Sequence, residues 1–227
     1  MNVIVGIYAR RTTRAFLRDR DIPEEVIREL VEIAGRAPSW ASAQPWEVYV
    51  ATGKKMDEIR DAYAYELTNN FSGKFEFSDI PGPGFDDWED TPLCVENMAI
   101  WKKNRLDVMG VTNEEYGNIM GGLTMKQLNA PVCVFLCLNK SLTPYSFYDL
   151  GAFGQTLMLA ATEKGIDSAA TYLSVLFGDV LHKALGIPDN TNVVLGISLG
   201  YADKEHIINK PDAKQMAVDK YLKIISE

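Results

Sequence analysis

Five consecutive residues, Arg10, Arg11, Thr12, Thr13 and Arg14, gather three guanidinium groups and two hydroxyls in a chain whose formal net charge is -8. A guanidinium presents planar, paired donors that match the oxygens of a phosphate or carboxylate, so this turn can build an anion site. It can equally be a solvated basic turn that pairs with the acidic remainder. A second stretch follows after one helix, APSWASAQPW from Ala37 to Trp46. Its small residues Ser39, Ala41, Ser42 and Ala43 lie between prolines, which lets the backbone approach a planar ligand closely, and the Gln44 amide can both donate and accept. Trp40 and Trp46 are aromatic partners or core residues, the core reading being the stronger for Trp46. Each stretch is a weak signal singly; the information lies in the pair at this spacing.

Other chemistries are poorly served. GISLG (Gly196 to Gly200), with Asp203 and His206 behind it, has the order of a serine-hydrolase triad. All three residues fall within one strand and its exit, however, and no helix pattern follows Ser198, so the segment reads as a buried strand. No GxGxxG follows a strand and no GxxxxGK[ST] occurs, which removes both common phosphate cradles. Cys94, Cys133 and Cys137 make no even disulfide set and no CxxC, and the last two read as same-face core residues. With two histidines, His182 and His206, no His-rich metal site can form, and no metal is expected. His182, near a helix C-terminus, reads as a surface or dipole-facing residue.

The acidic balance opposes nucleic acid and anionic membrane surfaces, leaving a small-molecule partner. The apolar run Val3 to Tyr8 is too short for a signal peptide and no stretch approaches membrane-spanning length, so a cytoplasmic protein is expected. No Pro/Gly/Ser-rich linker divides residues 1–227, and one domain is the expectation.

Around the two stretches the pattern predicts helices over 3–9 and from about 21 to 37, the second with Asp21 as cap and Pro23 in its first turn. A strand over 47–51 and a helix over 54–67 follow, then a turn-rich stretch over 68–90 carrying Phe71, Phe75, Phe77, Phe85 and Trp88. Helices are expected over 93–109 and 114–128. PVCVFLCL (Pro131 to Leu138) has the unbroken apolarity of a strand buried on both faces. The helix Asp149 to Gly165 is apolar around most of its circumference, which predicts a subunit interface. Strands over 166–171 and 192–202 flank a helix over 178–185. The class is α+β with a small central sheet, expected to be mixed, surrounded by helices.

RRTTRAF, then APSWASAQPW before a strand, then DLGAFGQTLMLAATEKGIDS and ALGIPDNTNVVLGISLGYAD together resemble the FMN-dependent nitroreductase family over nearly the whole chain, most closely its nitrobenzoate-reductase-like branch. The resemblance implies a nitroreductase-like fold, an intertwined homodimer, FMN at the subunit interface and NAD(P)H as electron donor. It also implies ping-pong reduction of a small planar electrophile such as a nitroaromatic or a quinone; a flavin sensor or store, or an enone or halogenated aromatic as acceptor, is the alternative. Carried over by position, Arg10, Arg11 and Thr12 hold the phosphate and ribityl chain, and Arg14 lies at the pyrimidine edge of the flavin. Pro38, Ser39 and Trp40 approach the ring from the other subunit, Gln44 bonds in the ribityl or ring region, and Gly200 sits near the phosphate end. Lys214, with Lys210 as the alternative, completes the phosphate clamp. Two departures stand out: Ser42 occupies a position where the family often has Asn, and Tyr172 and Leu173 replace a Glu-Gly or Gly-Gly pair near the flavin N5. The stretch 68–90 and the helix bearing Trp101 are expected to cover the substrate face.

Overall fold

The computed structural model describes residues 2–69, 73, 75–76 and 91–226. Its helices are α1 (Val3–Ala9), α2 (Glu24–Ala34), α3 (Gly53–Asn69), α4 (Pro92–Met109), α5 (Asn113–Met125), α6 (Tyr145–Glu163) and α7 (Gly178–Leu185). Its strands are β1 (Glu47–Thr52), β2 (Val132–Asn139), β3 (Asp167–Thr171) and β4 (Thr191–Gly200), in the spatial order β1-β2-β4-β3. The stretch expected over 68–90 falls mostly outside the described residues.

A strand apolar and buried over an unbroken run, as β2 is from Val132 to Leu138, needs a packed layer on each side, and β2 has both. Val132, Val134, Leu136 and Leu138 face a core built with α2 and α6. Cys133, Phe135 and Cys137 face a second core built with α3 and α7, as alternation along a strand requires. A smaller third core joins Ala15, Phe16, Met109, Leu123, Leu128 and Ile208, and this one positions the basic turn.

The four strands pair antiparallel throughout, so the expected mixed sheet is corrected; the parallel component is a single bridge between Thr12 and Ser168. Pro23, not Asp21, caps α2, and no side chain bonds its N-terminus, which leaves Glu24 and Glu25 to meet the positive helix end. α5 stops at Met125 rather than running to residue 128, because Gln127, Leu128 and Asn129 all take positive φ (50, 58 and 61°) and cannot continue a right-handed helix. α6 begins one turn earlier than expected and buries Leu150, Phe153 and Leu157 in its own chain's core. Its outer side still exposes Tyr145 and Tyr148, by 81% and 75%. A Cβ on Gly154 would touch Leu136 and Ile197 at 3.2 and 3.3 Å, whereas Gly151 faces open space.

Candidate functional site

Thr12 and Arg14 line a cavity of about 330 Å³ whose other walls are Met120, Thr124, Gln127, Leu128 and the run from Ala169 to Ser174. The basic turn therefore meets Tyr172 and Leu173, two of the residues singled out in the sequence, in one cavity. The turn is held there by backbone pairing: Thr13 N donates to Ser168 O at 3.0 Å, Phe16 N to Leu128 O at 3.0 Å and Leu17 N to Tyr201 O at 2.8 Å. Asn209 completes the anchor. Its Oδ1 accepts from Arg14 N at 2.8 Å, and its Nδ2 donates to Ala15 O and Asp203 O at 2.8 and 2.9 Å.

The electrostatics of this cavity are one-sided. The Arg14 guanidinium bonds the Thr12 carbonyl at 3.4 Å and lies 5.7 Å from the centre of the Trp101 ring. On the same ring, at 5.4 Å, lies buried Arg105, which donates to Ile208 O and whose Nε finds no hydrogen-bond partner among the described residues. Burial, and then the positive charge of Arg105, push the Arg14 guanidinium down to about 10, so it stays charged at neutral pH, and no carboxylate among the described residues pairs with it. A cation on the cavity wall, with a second buried behind it and no carboxylate paired to either among the described residues, favours a ligand that carries or develops negative charge. Arg105 escaped the sequence reading because a lone arginine inside a helix reads as a solvated residue.

The second stretch forms its own structure elsewhere. Ala41, Ser42 and Gln44 adopt φ of 48, 58 and 48°, and the loop is tied by Gln44 N donating to Ser39 Oγ at 3.0 Å and Gln44 Nε2 to Ser42 Oγ at 3.4 Å. Trp40 N donates to the buried Asp149 carboxylate at 3.2 Å, which fastens the loop to α6. Pro38, Ser39 and Trp40 line a different cavity, of about 760 Å³, with Leu142, Tyr145, Tyr148 and Asp149. The two cavities share no lining residue, so one chain does not bring the proline-bracketed loop onto the Arg14 cavity. Trp40 is 78% exposed, while Trp46 packs on Phe153 with ring centres 5.1 Å apart, as a core residue should. Asp149 is the missed member of this group; a single acid at the start of an otherwise apolar helix was the available signal.

Arg10 is half-buried at the C-terminal end of α1, with its backbone N–H bonded to Gly6 O at 3.0 Å. Arg11 is drawn to the tail: it donates to Asn209 O at 3.1 Å and pairs with Asp212 at 2.7 Å, on the exposed segment that also carries Lys210 and Lys214. Gly200 is buried at the end of β4, where a Cβ would fall 2.7 Å from Pro131 and 2.9 Å from Phe16; its lack of a side chain serves this packing. Ser198 is wholly buried in mid-strand, the Asp203 carboxylate bonds the backbone N–H groups of Glu205 and His206, and the His206 ring accepts from Ile208 N. No hydrolase triad forms. Among the described residues no group of three or more His, Cys, Asp or Glu could hold a metal, and no helix is long and apolar enough to cross a membrane.

The profile of the nitroreductase family matches residues 7–201. The chain belongs to the nitroreductase family. It is 30% identical to nitroreductase NfnB of Mycolicibacterium smegmatis over 205 residues, covering 89% of this chain and 84% of that protein. It is 27% identical to a 4-nitrobenzoate reductase of Nocardioides sp., covering 95% and 87%. In three dimensions it matches the FMN-dependent nitroreductase NfnB of Mycobacterium smegmatis, solved with NADPH, at a TM-score of 0.85 and 26% identity over 97% of this chain and 96% of that one. The nitroreductase assignment accounts for the α+β architecture and for an enzyme of the NAD(P)H-dependent flavin oxidoreductase class.

Proposed function

We propose that the chain, as one domain over residues 1–227, is an FMN-dependent NAD(P)H oxidoreductase that reduces small planar electrophiles, most simply nitroaromatics or quinones. The observation that carries this reading is the charge of Arg14, which lines a cavity walled by Tyr172 and Leu173 and shares the Trp101 ring with buried Arg105. When bound, FMN would supply hydride-transfer chemistry between NAD(P)H and the acceptor, in two half-reactions of ping-pong order.

The residues present fit such a group. Arg14, fixed by its backbone bond to Asn209, would place its positive charge toward the pyrimidine edge of a bound flavin, where it would favour the reduced form. Arg10, Arg11 and Thr12 would hold the phosphate and ribityl chain, with Lys214 or Lys210 from the tail; Arg11 must exchange Asp212 for the phosphate. Tyr172 and Leu173, on the cavity wall, would lie beside N5 and offer backbone N–H groups in place of a side-chain acid. The loop bearing Pro38, Ser39, Trp40, Ser42 and Gln44 reaches the ring from a second copy of the chain. In favour of that homodimer are the separate cavities and the exposure of Trp40, Tyr145 and Tyr148.

Titration of apoprotein with FMN and anaerobic addition of NADH or NADPH tests the reading: the flavin binds and bleaches, and a nitroaromatic restores its absorbance. A bound flavin that neither nucleotide bleaches would instead make this a flavin store.

A further inference from the structure

Two arginines are buried among the described residues, Arg60 and Arg105. Taking a guanidinium out of water is costly unless a carboxylate and hydrogen bonds replace its hydration. Arg60 meets both conditions: it pairs with Asp57 at 2.7 Å and donates to the carbonyls of Lys126 and Ala130. Arg105, 3% exposed, does not. Its Nη2 donates to Ile208 O at 2.7 Å, its Nε finds no hydrogen-bond partner, and no carboxylate among the described residues pairs with it. The fold accounts for Arg60; Arg105 needs another reason.

Its surroundings supply one. Arg105 follows Trp101 by four residues on α4, which puts both on one face of the helix. The Arg105 guanidinium lies 5.4 Å from the centre of the Trp101 ring and 5.9 Å from that of Tyr116, which itself meets Trp101 edge-on. Arg14 lies over the same Trp101 ring at 5.7 Å. The two cations are therefore no more than about 11 Å apart, a separation at which two unit charges in a protein's effective dielectric still change an equilibrium roughly tenfold. The second route to the basic turn runs through the backbone. Ile208, whose carbonyl Arg105 holds, precedes Asn209, whose side chain accepts from Arg14 N and whose carbonyl accepts from Arg11. One buried side chain thus reaches the turn both through space and through its anchor.

We propose that Arg105 is a positioning residue that acts through Arg14: it holds the Asn209 anchor of the basic turn and sets a second fixed positive charge behind the cavity, so that the cavity favours the electron-rich state of its ligand. The inference rests on the reductase reading for that ligand; for FMN the electron-rich state is the reduced one. The coupling of the two cations needs no ligand, and the order of causes at Arg14, burial first and the charge of Arg105 second, agrees with it.

The test compares wild type with Arg105→Gln, Arg105→Met and Arg105→Lys. Glutamine removes the charge and keeps a donor for Ile208 O, methionine removes both, and lysine keeps the charge while losing the planar fork. In the flavin-loaded proteins, Arg105→Gln and Arg105→Met bind reduced FMN less tightly, relative to oxidised FMN, by roughly three- to tenfold. For a two-electron couple that lowers the midpoint by about 15 to 30 mV, while Arg105→Lys stays near wild type. In the apoproteins, the Arg14 guanidinium is followed by carbon NMR and assigned by its loss in Arg14→Lys. It titrates near pH 10 in wild type and at higher pH, by up to about tenfold in proton affinity, in the two neutral variants. A wild-type midpoint or an unmoved Arg14 titration in the neutral variants overturns the proposal. So does a midpoint in Arg105→Lys as low as theirs, which would make Arg105 a clamp on Ile208 alone. If one neutral variant does not fold, the other decides. If neither folds, Arg105→Lys decides: a buried lysine loses its proton at lower pH than an arginine, so its midpoint falls away from wild type as the pH rises, and a constant gap overturns the proposal. Failure to bind FMN overturns the reductase reading instead, and the apoprotein titration still judges the pair of cations.

Discussion

Ala41, Ser42 and Gln44 on the outer loop, and Gln127, Leu128 and Asn129 beneath the Arg14 cavity, all hold positive φ without being glycine. Each such residue costs about 1 to 2 kcal/mol relative to ordinary backbone, so something must hold both runs. The inner run is clamped from the core. Buried Arg60 of α3 donates to Lys126 O at 3.2 Å and to Ala130 O, on either side of the run, while Phe16 N bonds Leu128 O and the Leu128 side chain packs in the third core. The outer run has only its own short hydrogen bonds and Asp149, and its side chains stay in solvent. The inner wall is thus completed by the chain's own packing, whereas the outer loop keeps its left-handed residues exposed.

That contrast can be broken in three places. Leu128→Gly relieves a left-handed residue but removes a buried side chain, and the packing loss dominates: denaturant unfolding should show a loss of about 2 to 4 kcal/mol. A neutral or stabilising result would mean that backbone strain, not packing, rules the inner run. Arg10→Ala leaves both runs intact while deleting a donor proposed to hold the phosphate, so calorimetry should find FMN weakened by about 1.5 to 3 kcal/mol, roughly ten- to a hundredfold, with the melting temperature of the apoprotein unchanged. Equal FMN affinity would return the basic turn to surface charge. Ala41→Gly is the smallest effect and has the opposite sign: with no buried side chain to lose, relief of φ outweighs the added freedom of the unfolded chain by about 0.5 kcal/mol, a slight rise in melting temperature. A fall would show that the outer loop is not strained.

Much of the scaffold was legible because it follows periodicity. The unbroken apolar run of β2 announced burial on both faces, and the stripe of Ile27, Leu30 and Ala34 announced α2. Thr12, Arg14, Tyr172 and Leu173 were singled out through a resemblance that covers most of the chain, and these four line one cavity. What escaped were contacts between residues far apart in sequence. Arg60, Arg105, Asp149 and Asn209 each act on a partner more than sixty positions away, and no local pattern marks them. The left-handed run over 127–129 escaped for another reason: leucine and glutamine favour helix, and the core overrode that preference. Ser42, where the family often has Asn, sits in the left-handed region that Asn tolerates better; its hydroxyl is taken up by Gln44.

The three cysteines divide the chain in one last respect. Cys133 and Cys137 are wholly buried in the sheet, where burial pushes the Cys133 thiol up to about 12 and raises Cys137 as well, while Cys94 is partly exposed on α4, the helix that carries Trp101 to Arg14. Thiolate is the reactive form, so an alkylating dye should mark the native protein at one position and the unfolded chain at three. The delay between the first label and the other two is a clock for global opening, built into the sheet and readable by mass without any ligand.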